Sequence, residues 1–306
     1  MLRRAHNKYD LTVIGGGATG LAAAHHAARS GQAVLLFEPS GIYGGQIATI
    51  AQVEGLPIPG EVSGQAIAID LVEKCQRLGV DIKATGVERV ETNGELRCVD
   101  QEGGTSLSGA IVIASGATLR KLGVPGENEL AGRGISHCAD CDGPLFRGKD
   151  VVVVGAGDAA AQEAVILSRL CRHVTILARG AARAKQIYTE KLRSLANVTF
   201  VWDVVVEQIR GKEKVEAVSL RSLKDGGTRD LECAAVFPFV GTAPNSGFVP
   251  RSLCDADGYV VTDQQYRTQA ARVFAAGAVR RDYGGQISQA VSEGVSAAQA
   301  AISSRC

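Results

Sequence analysis

Two observations on the sequence predict an α/β protein built of two similar parallel-sheet domains, the first interrupted by the second. One is a repeated unit, DLTVIGGGATGLAAAHHAARSGQAVLLFE near the start and DVVVVGAGDAAAQEAVILSRLCRHVTILAR from Asp150 onward. The other is the tail, whose RVFAAGAV and Ala-rich closing stretch return to the small-residue style of the first unit. A chain of 306 residues is also too long for one ordinary core.

In chain order, Leu11 to Ile14 reads as a buried strand, followed by a glycine turn, an Ala-rich helix and a second strand from Ala33 to Phe37. Gly15 and Gly155 stand 140 positions apart, each after a run of branched aliphatics suited to a strand buried on both faces. Ala110 to Ala114 is apolar and precedes LRKLGVPGENEL, which reads as a crossover between domains. DLECAAVFPFVGTAPN resembles a strand ending in a turn, RVFAAGAV another strand, and Ser288 to Ala301 a helix. The expected boundaries are residues 1–119 and 248–306 for the first domain and 120–247 for the second.

Composition excludes several classes. The 45% hydrophobic and 21% charged shares are those of a globular protein. Lys plus Arg number 33 against 32 Asp plus Glu, which leaves no field to attract nucleic acid or an anionic membrane. No run approaches a membrane span and no apolar stretch precedes the first strand, so a cytoplasmic location is expected. Six of the eight cysteines (Cys75, Cys98, Cys171, Cys233, Cys254 and Cys306) are scattered without pattern, unlike a secreted disulfide framework.

Gly15-x-Gly17-x-x-Gly20 lies between strand and helix, the context in which this spacing is informative. The first glycine permits the tight turn, the second lets a pyrophosphate approach the backbone, and the third brings helix and strand together. Glu38 follows the second strand, 23 positions after Gly15, where a carboxylate can accept from a ribose. These two units therefore predict Rossmann-like dinucleotide-binding domains. In the second, Gly155-x-Gly157-x-x-Ala160, the same count reaches Ala178, with Arg179 and Arg183 after it. A missing carboxylate and two arginines favour NADP over NAD, with solvated surface arginines as the bland alternative.

Cys138-Ala139-Asp140-Cys141 carries the chemistry. Its spacing closes a small disulfide ring and equally suits half of a zinc site. Zinc needs about four ligands, and beyond the adjacent His137 the sequence holds no second Cys pair or Cys/His cluster. Asp142 follows directly and can pass a proton to a released thiolate, or simply cap a turn. His25 and His26 read as packing or surface residues, and Cys306 as a spectator on the tail.

The order of these motifs, with Gly44-Gly45-Gln46 and the Phe274-Ala275-Ala276-Gly277 segment, resembles the low-molecular-weight thioredoxin reductases over nearly the whole chain. The resemblance implies that Gly15, Gly17, Gly20, Glu38, Gly45 and Gln46 hold FAD. Ala114, Gly116, Gly277, Gln289 and Ala290 match the family's further flavin contacts. It implies NADPH at Gly155, Gly157, Ala160, Arg179 and Arg183. Cys141 would face the flavin, Cys138 would meet the external disulfide and Asp142 would be the acid. It further implies a homodimer, a thioredoxin-like protein or other disulfide as partner, and a nicotinamide domain that rotates.

There are departures. Ala178-Arg179-Gly180 stands where the family has His-Arg-Arg, and Ala278 replaces an aspartate that holds the ribityl chain. Ser288 replaces an arginine, Gly55 an asparagine, Asp140 a small hydroxyl residue and His137 an aromatic. The expected activity is an FAD-dependent disulfide oxidoreductase driven by NADPH. One alternative is a relative that draws electrons from ferredoxin or another flavin, or that runs as a dithiol oxidase. A nucleotide-binding protein without catalysis and a flavin enzyme without a disulfide step are further alternatives. Both are opposed by the CxxC, since neither has a use for paired thiols.

Overall fold

The computed structural model describes residues 8–50, 53, 62–92, 94–281 and 283–304. Along the chain come β1 (Lys8–Ile14), α1 (Ala18–Arg29), β2 (Val34–Phe37), α2 (Gly64–Arg77), β3 (Asp81–Lys83), β4 (Val87–Glu91), β5 (Leu96–Asp100), β6 (Thr105–Ile113) and β7 (Ala117–Leu119). Then follow α3 (Ala139–Asp142), β8 (Asp150–Val154), α4 (Asp158–Ser168), β9 (His173–Leu177), α5 (Gln186–Arg193) and β10 (Val198–Val201). The remainder is β11 (Val204–Arg210), β12 (Ala217–Ser222), β13 (Thr228–Glu232), β14 (Ala235–Pro238), β15 (Thr242–Pro244), β16 (Val273–Ala275) and α6 (Ile287–Ser303). The chain divides into two compact units: one runs to Thr118 and resumes at Ala243, the other spans Leu119–Thr242.

In the interrupted unit the sheet order is β3-β2-β1-β6-β5-β4. β1 is parallel to both neighbours, Leu11 lying opposite Val34 and Ala110. Central parallel strands are covered on both faces, and Leu11, Thr12, Val13 and Ile14 are all buried, as their aliphatic run requires. β6 serves two partners along one edge: its first half pairs antiparallel with β5 and its last three residues pair parallel with β16. That second pairing brings the tail back into the first sheet. α6 then lies against α1 so closely that a Cβ on Gly294 would sit 2.2 Å from the Thr19 carbonyl oxygen. Alanines on both helices (Ala23, Ala24 and Ala27; Ala297, Ala298 and Ala301) are fully buried at this packing. Small residues here permit an approach that Leu or Val would block.

The second unit repeats the plan with a parallel sheet, order β10-β9-β8-β14, and adds an antiparallel sheet, β11-β12-β13. In β12 inward Val218 and Leu220 alternate with more exposed neighbours, the period-two pattern of a sheet with one face on a core. Among the described residues no helix is long and apolar enough to cross a membrane.

Several elements differ from their expected limits. β1 begins at Lys8 because Lys8 and Tyr9 pair with Leu107 and Ser108, a backbone contact that hydropathy does not register. RVFAAGAV yields only three strand residues, since Gly277 adopts φ +74° and turns the chain. The connection after Leu119 is a loop folded around Glu127, whose carboxylate accepts the Leu122 and Gly123 N–H groups, each at 2.8 Å.

Candidate redox site and nucleotide turns

The first glycine turn is built by close backbone contacts. Gly15 adopts φ +111°, and a Cβ there would lie 2.4 Å from the Ala114 carbonyl oxygen. A Cβ on Gly20 would lie 1.8 Å from the Gly15 carbonyl oxygen, so the third glycine is required by helix-to-turn packing. Gly17 is different: a Cβ there meets nothing nearer than the Gly44 oxygen at 3.9 Å. It is the N-cap of α1 and makes no side-chain cap, so the opening N–H groups of the helix are left without a capping side chain. An anionic pyrophosphate fits that cradle. By contrast α2 is closed by Ser63, which accepts the Ala66 N–H at 3.1 Å.

Glu38 is buried and partly engaged. Its Oε2 accepts the Gly16 N–H at 2.8 Å, and its Oε1 accepts the Ser40 N–H and hydroxyl at 2.9 and 2.7 Å. A carboxylate has about four acceptor positions, so one remains on Oε2 for a ribose hydroxyl. Gly45 adopts φ +56°, and Gln46 beside it donates from Nε2 to the Ala117 carbonyl at 2.7 Å. The GGQ turn is thereby joined to the segment that holds Ala114 and Gly116, the latter at φ +70°. Asn245, on the returning chain, fastens the same segment: its N–H donates to Gly116 O and its Nδ2 to Ser115 O, both at 2.9 Å.

The tail adds a buried charge that the sequence reading passed over. Glu293 on α6 is 4% exposed and accepts the Gly277 N–H at 2.7 Å, Arg280 Nη1 at 3.1 Å and Gln289 Nε2 at 2.8 Å. Gln289 Oε1 accepts the Gly284 N–H at 2.9 Å, so its amide is used to shape the tail. Ala290 is buried beside Ala18, Ile47 and Ala68. Gly55 and Cys306 lie outside the described residues.

The second unit reproduces the turn. Gly155 donates to Leu177 O at 2.9 Å, as Gly15 donates to Phe37 O at 2.9 Å. Ala178 therefore stands where Glu38 stands in the first unit. Its place as partner of the turn is taken by the Arg183 and Ala184 N–H groups, which donate to Ala156 O at 2.8 and 3.0 Å. A Cβ on Gly157 would meet no atom within 4 Å. Ala160 is buried against Gly155. Arg179 and Arg183 are both exposed and, among the described residues, neither forms an ion pair. Lys185 follows, its N–H donating to Asp158 Oδ1 at 2.7 Å and its ammonium 3.8 Å from Oδ2. It offsets an acid at the head of α4 that would otherwise oppose a phosphate.

Cys138 and Cys141 form a disulfide, with Cα atoms 5.3 Å apart. Cys138 is the N-cap of α3, and its Sγ accepts the Cys141 N–H at 3.2 Å. Cys141 is exposed and Cys138 half-buried. Asp142 ends the turn, its N–H donating to Cys138 O at 3.1 Å. His137 Nδ1 lies 3.1 Å from Pro238 O, and among the described residues no group of three His, Cys, Asp or Glu side chains is placed to hold a metal ion. The scattered cysteines are unlike this pair. Burial pushes the Cys75 and Cys171 thiols up to about 11 and those of Cys98 and Cys233 up to about 12, so they remain protonated and inert. His26 meets Gln299 at 2.9 Å across the α1–α6 contact, a packing role.

Residues 9–301 match the family model of the pyridine nucleotide-disulphide oxidoreductases. The chain is 38% identical to a thioredoxin reductase of Treponema pallidum over 297 residues, 96% of each chain. It is 36% identical to that of Listeria innocua, over 95% of this chain and 92% of the relative. Among solved structures, the thioredoxin reductase of Lactococcus lactis in its FR conformation matches with a TM-score of 0.87 and 34% identity. That match covers 97% of this chain and 99% of the other. With both glycine turns, the Cys138–Cys141 disulfide and these likenesses together, the chain belongs to the pyridine nucleotide-disulphide oxidoreductases and, within them, to the low-molecular-weight thioredoxin reductases.

Proposed function

We propose that Cys138, Cys141 and Asp142 carry the thiol chemistry of a reductase whose partner is a thioredoxin-like protein. The chain is an FAD-dependent disulfide oxidoreductase of the thioredoxin reductase kind, with FAD and NADPH as cofactors. Bound FAD supplies two-electron redox chemistry. Gly15, Gly17, Gly20, Glu38, Gly45, Gln46, Ala114, Gly116, Gly277, Gln289 and Ala290 are assigned to hold it. Gly155, Gly157, Ala160, Arg179 and Arg183 are assigned to the nicotinamide dinucleotide. The expected domain boundaries, a homodimer and a cytoplasmic location belong to the same reading.

The observation that carries it is the closed Cys138–Cys141 disulfide on a short helical turn, with the Cys141 N–H aimed at Cys138 Sγ. In the reduced state a Cys138 thiolate in that position is stabilised by the same N–H group. It attacks one sulfur of the partner's disulfide, expelling the other as a thiolate. Cys141 then attacks Cys138 Sγ, re-forming the internal bond and releasing the partner as a dithiol, while Asp142 exchanges a proton with the departing sulfur.

The test is trapping. Cys141→Ser should accumulate a mixed disulfide between Cys138 and a thioredoxin cysteine, seen as a covalent adduct by mass spectrometry. Cys138→Ser should not. The reverse pattern would exchange the two roles, and no adduct with either variant would remove thioredoxin as the partner.

A further inference from the structure

The redox turn is tied to α4, within the second unit, by a group that the thiol–disulfide exchange does not use. Ala139 is fully buried, and its N–H, the first of α3, donates to Glu163 Oε2 at 2.5 Å. Glu163 sits on α4, the helix that starts at the second glycine turn. Among the described residues it forms no ion pair. Asp140, on α3, is near enough for its charge to act on Glu163. From α5 comes Tyr188, whose hydroxyl accepts the neighbouring Gln162 amide at 2.7 Å. β8 and β9 present Val151, Val153, Val174 and Ile176 to that side of the core. Burial, and then Asp140, push the Glu163 carboxyl up from its ordinary value, while the Ala139 N–H pulls it back.

A carboxylate with no ion-pair partner among the described residues, hydrogen-bonded to the residue after Cys138, acts on the thiol in two opposite ways. Its hydrogen bond fixes the first N–H of the turn, and with it the direction of the Cys141 N–H toward Cys138 Sγ. Its charge opposes a second negative charge nearby. Conversion of the disulfide to one thiolate and one thiol takes up two electrons and one proton, the electrons coming from NADPH by the assigned activity. The thiolate so formed stands one residue from the Glu163 bond. We propose that Glu163 is a positioning residue for the thiol–disulfide step, anchoring the CxxC turn and setting how readily Cys138 carries negative charge. This rests on the reading of Cys138–Cys141 as the reactive pair.

The test compares Glu163→Gln, which keeps an acceptor for the Ala139 N–H and removes the charge, with Glu163→Ala, which removes both. Each FAD-loaded protein is reduced with dithiothreitol, so the result does not depend on the nucleotide donor. Cys138 alkylation by iodoacetamide is then followed against pH by mass spectrometry. In Glu163→Gln the midpoint for Cys138 should move down by about one unit, with alkylation several-fold faster below it. Its disulfide should also be reduced at lower dithiothreitol-to-oxidised-dithiothreitol ratios than that of the wild type. Glu163→Ala should also raise the alkylation of Cys141, as the turn loosens. Equal midpoints in wild type and Glu163→Gln would overturn the charge role, because a purely structural contact is kept by Gln. Failure of the reactive-pair reading looks different: Cys138 would give no thioredoxin adduct in Cys141→Ser, whatever the midpoints.

Discussion

Gly16 donates its backbone N–H to Glu38 Oε2 across 2.8 Å, so the acid that follows β2 is fixed to the first glycine turn by the protein's own backbone. Ser40 holds the other oxygen. Replacing Glu38 with Ala removes both the brace and the acceptor proposed for the ribose. A hydrogen bond to a charged group contributes roughly 1.5–3 kcal/mol, which weakens FAD binding about ten- to a hundredfold without abolishing it. Glu38→Gln, with one oxygen left, should fall between. Titration of apoprotein with FAD, read by flavin fluorescence, measures this; unchanged affinity in Glu38→Ala would remove Glu38 from the flavin site.

The glycines of the two fingerprints should separate packing from ligand approach. Gly20→Ala drives a Cβ to 1.8 Å from Gly15 O, a backbone clash that α1 cannot relieve without moving off the sheet. The variant should lose FAD and melt earlier. Gly157→Ala meets no protein atom within 4 Å and should fold with an unchanged melting transition. Its added methyl should nonetheless weaken NADPH binding, measured by calorimetric titration. Normal NADPH affinity in Gly157→Ala would mean that the dinucleotide does not approach this turn.

Much of this arrangement was legible in the sequence, because local chemistry dictates it. Branched aliphatic runs followed by glycine at fixed spacing specify strand, turn and helix within about thirty residues. What the reading missed depends on contacts between distant segments. Asn245 is one short polar side chain in a turn, and only the fold places it against Ser115 and Gly116. Glu163 reads as a surface charge on α4 until α3 is laid against it. Glu293 did leave a trace: with Ala290, Gly294, Ala297 and Ala301 it lies on the stripe that α6 buries. An acid on such a stripe signals a buried partner, and the partner is Arg280.

That pair yields a stability prediction. Glu293→Ala would leave Arg280, whose side chain is 16% exposed, and the Gly277 N–H without their shared acceptor. Breaking a buried pair costs roughly 3–5 kcal/mol, and the low end applies here. Arg280 keeps Thr262 Oγ1 at 2.8 Å and lies 4.7 Å from the centre of the Tyr266 ring. The melting transition should fall by several degrees, and Glu293→Gln should recover part of the loss. A shift under about 2 °C in Glu293→Ala would show that Arg280 does not need its partner.

The last prediction concerns the choice of nucleotide, where the two units differ most. In the first unit the position after the second strand holds Glu38; in the second it holds Ala178, buried and without an acceptor side chain. A ribose 2′-hydroxyl there gains no hydrogen bond from a carboxylate, so NADH has no reward at this point. Arg179 follows directly, and Arg183 is anchored through its N–H to Ala156 O at 2.8 Å, which keeps it at the glycine turn. Both arginines are exposed and, among the described residues, without an ion pair, so a 2′-phosphate does not have to compete there with an internal acid. Charge-assisted hydrogen bonds contribute roughly 1.5–3 kcal/mol each, and exposure to solvent argues for the low end. NADPH should therefore bind about tenfold or more tightly than NADH, and the margin should narrow as salt screens the arginines. Arg179→Ala with Arg183→Ala should lose the preference, while Ala178→Glu should reverse it by restoring a ribose acceptor and repelling the phosphate. Flavin bleaching by each nucleotide under anaerobic stopped-flow conditions reads all three proteins. Equal responses of the wild type to NADPH and NADH would show that Arg179 and Arg183 do not read the 2′ position.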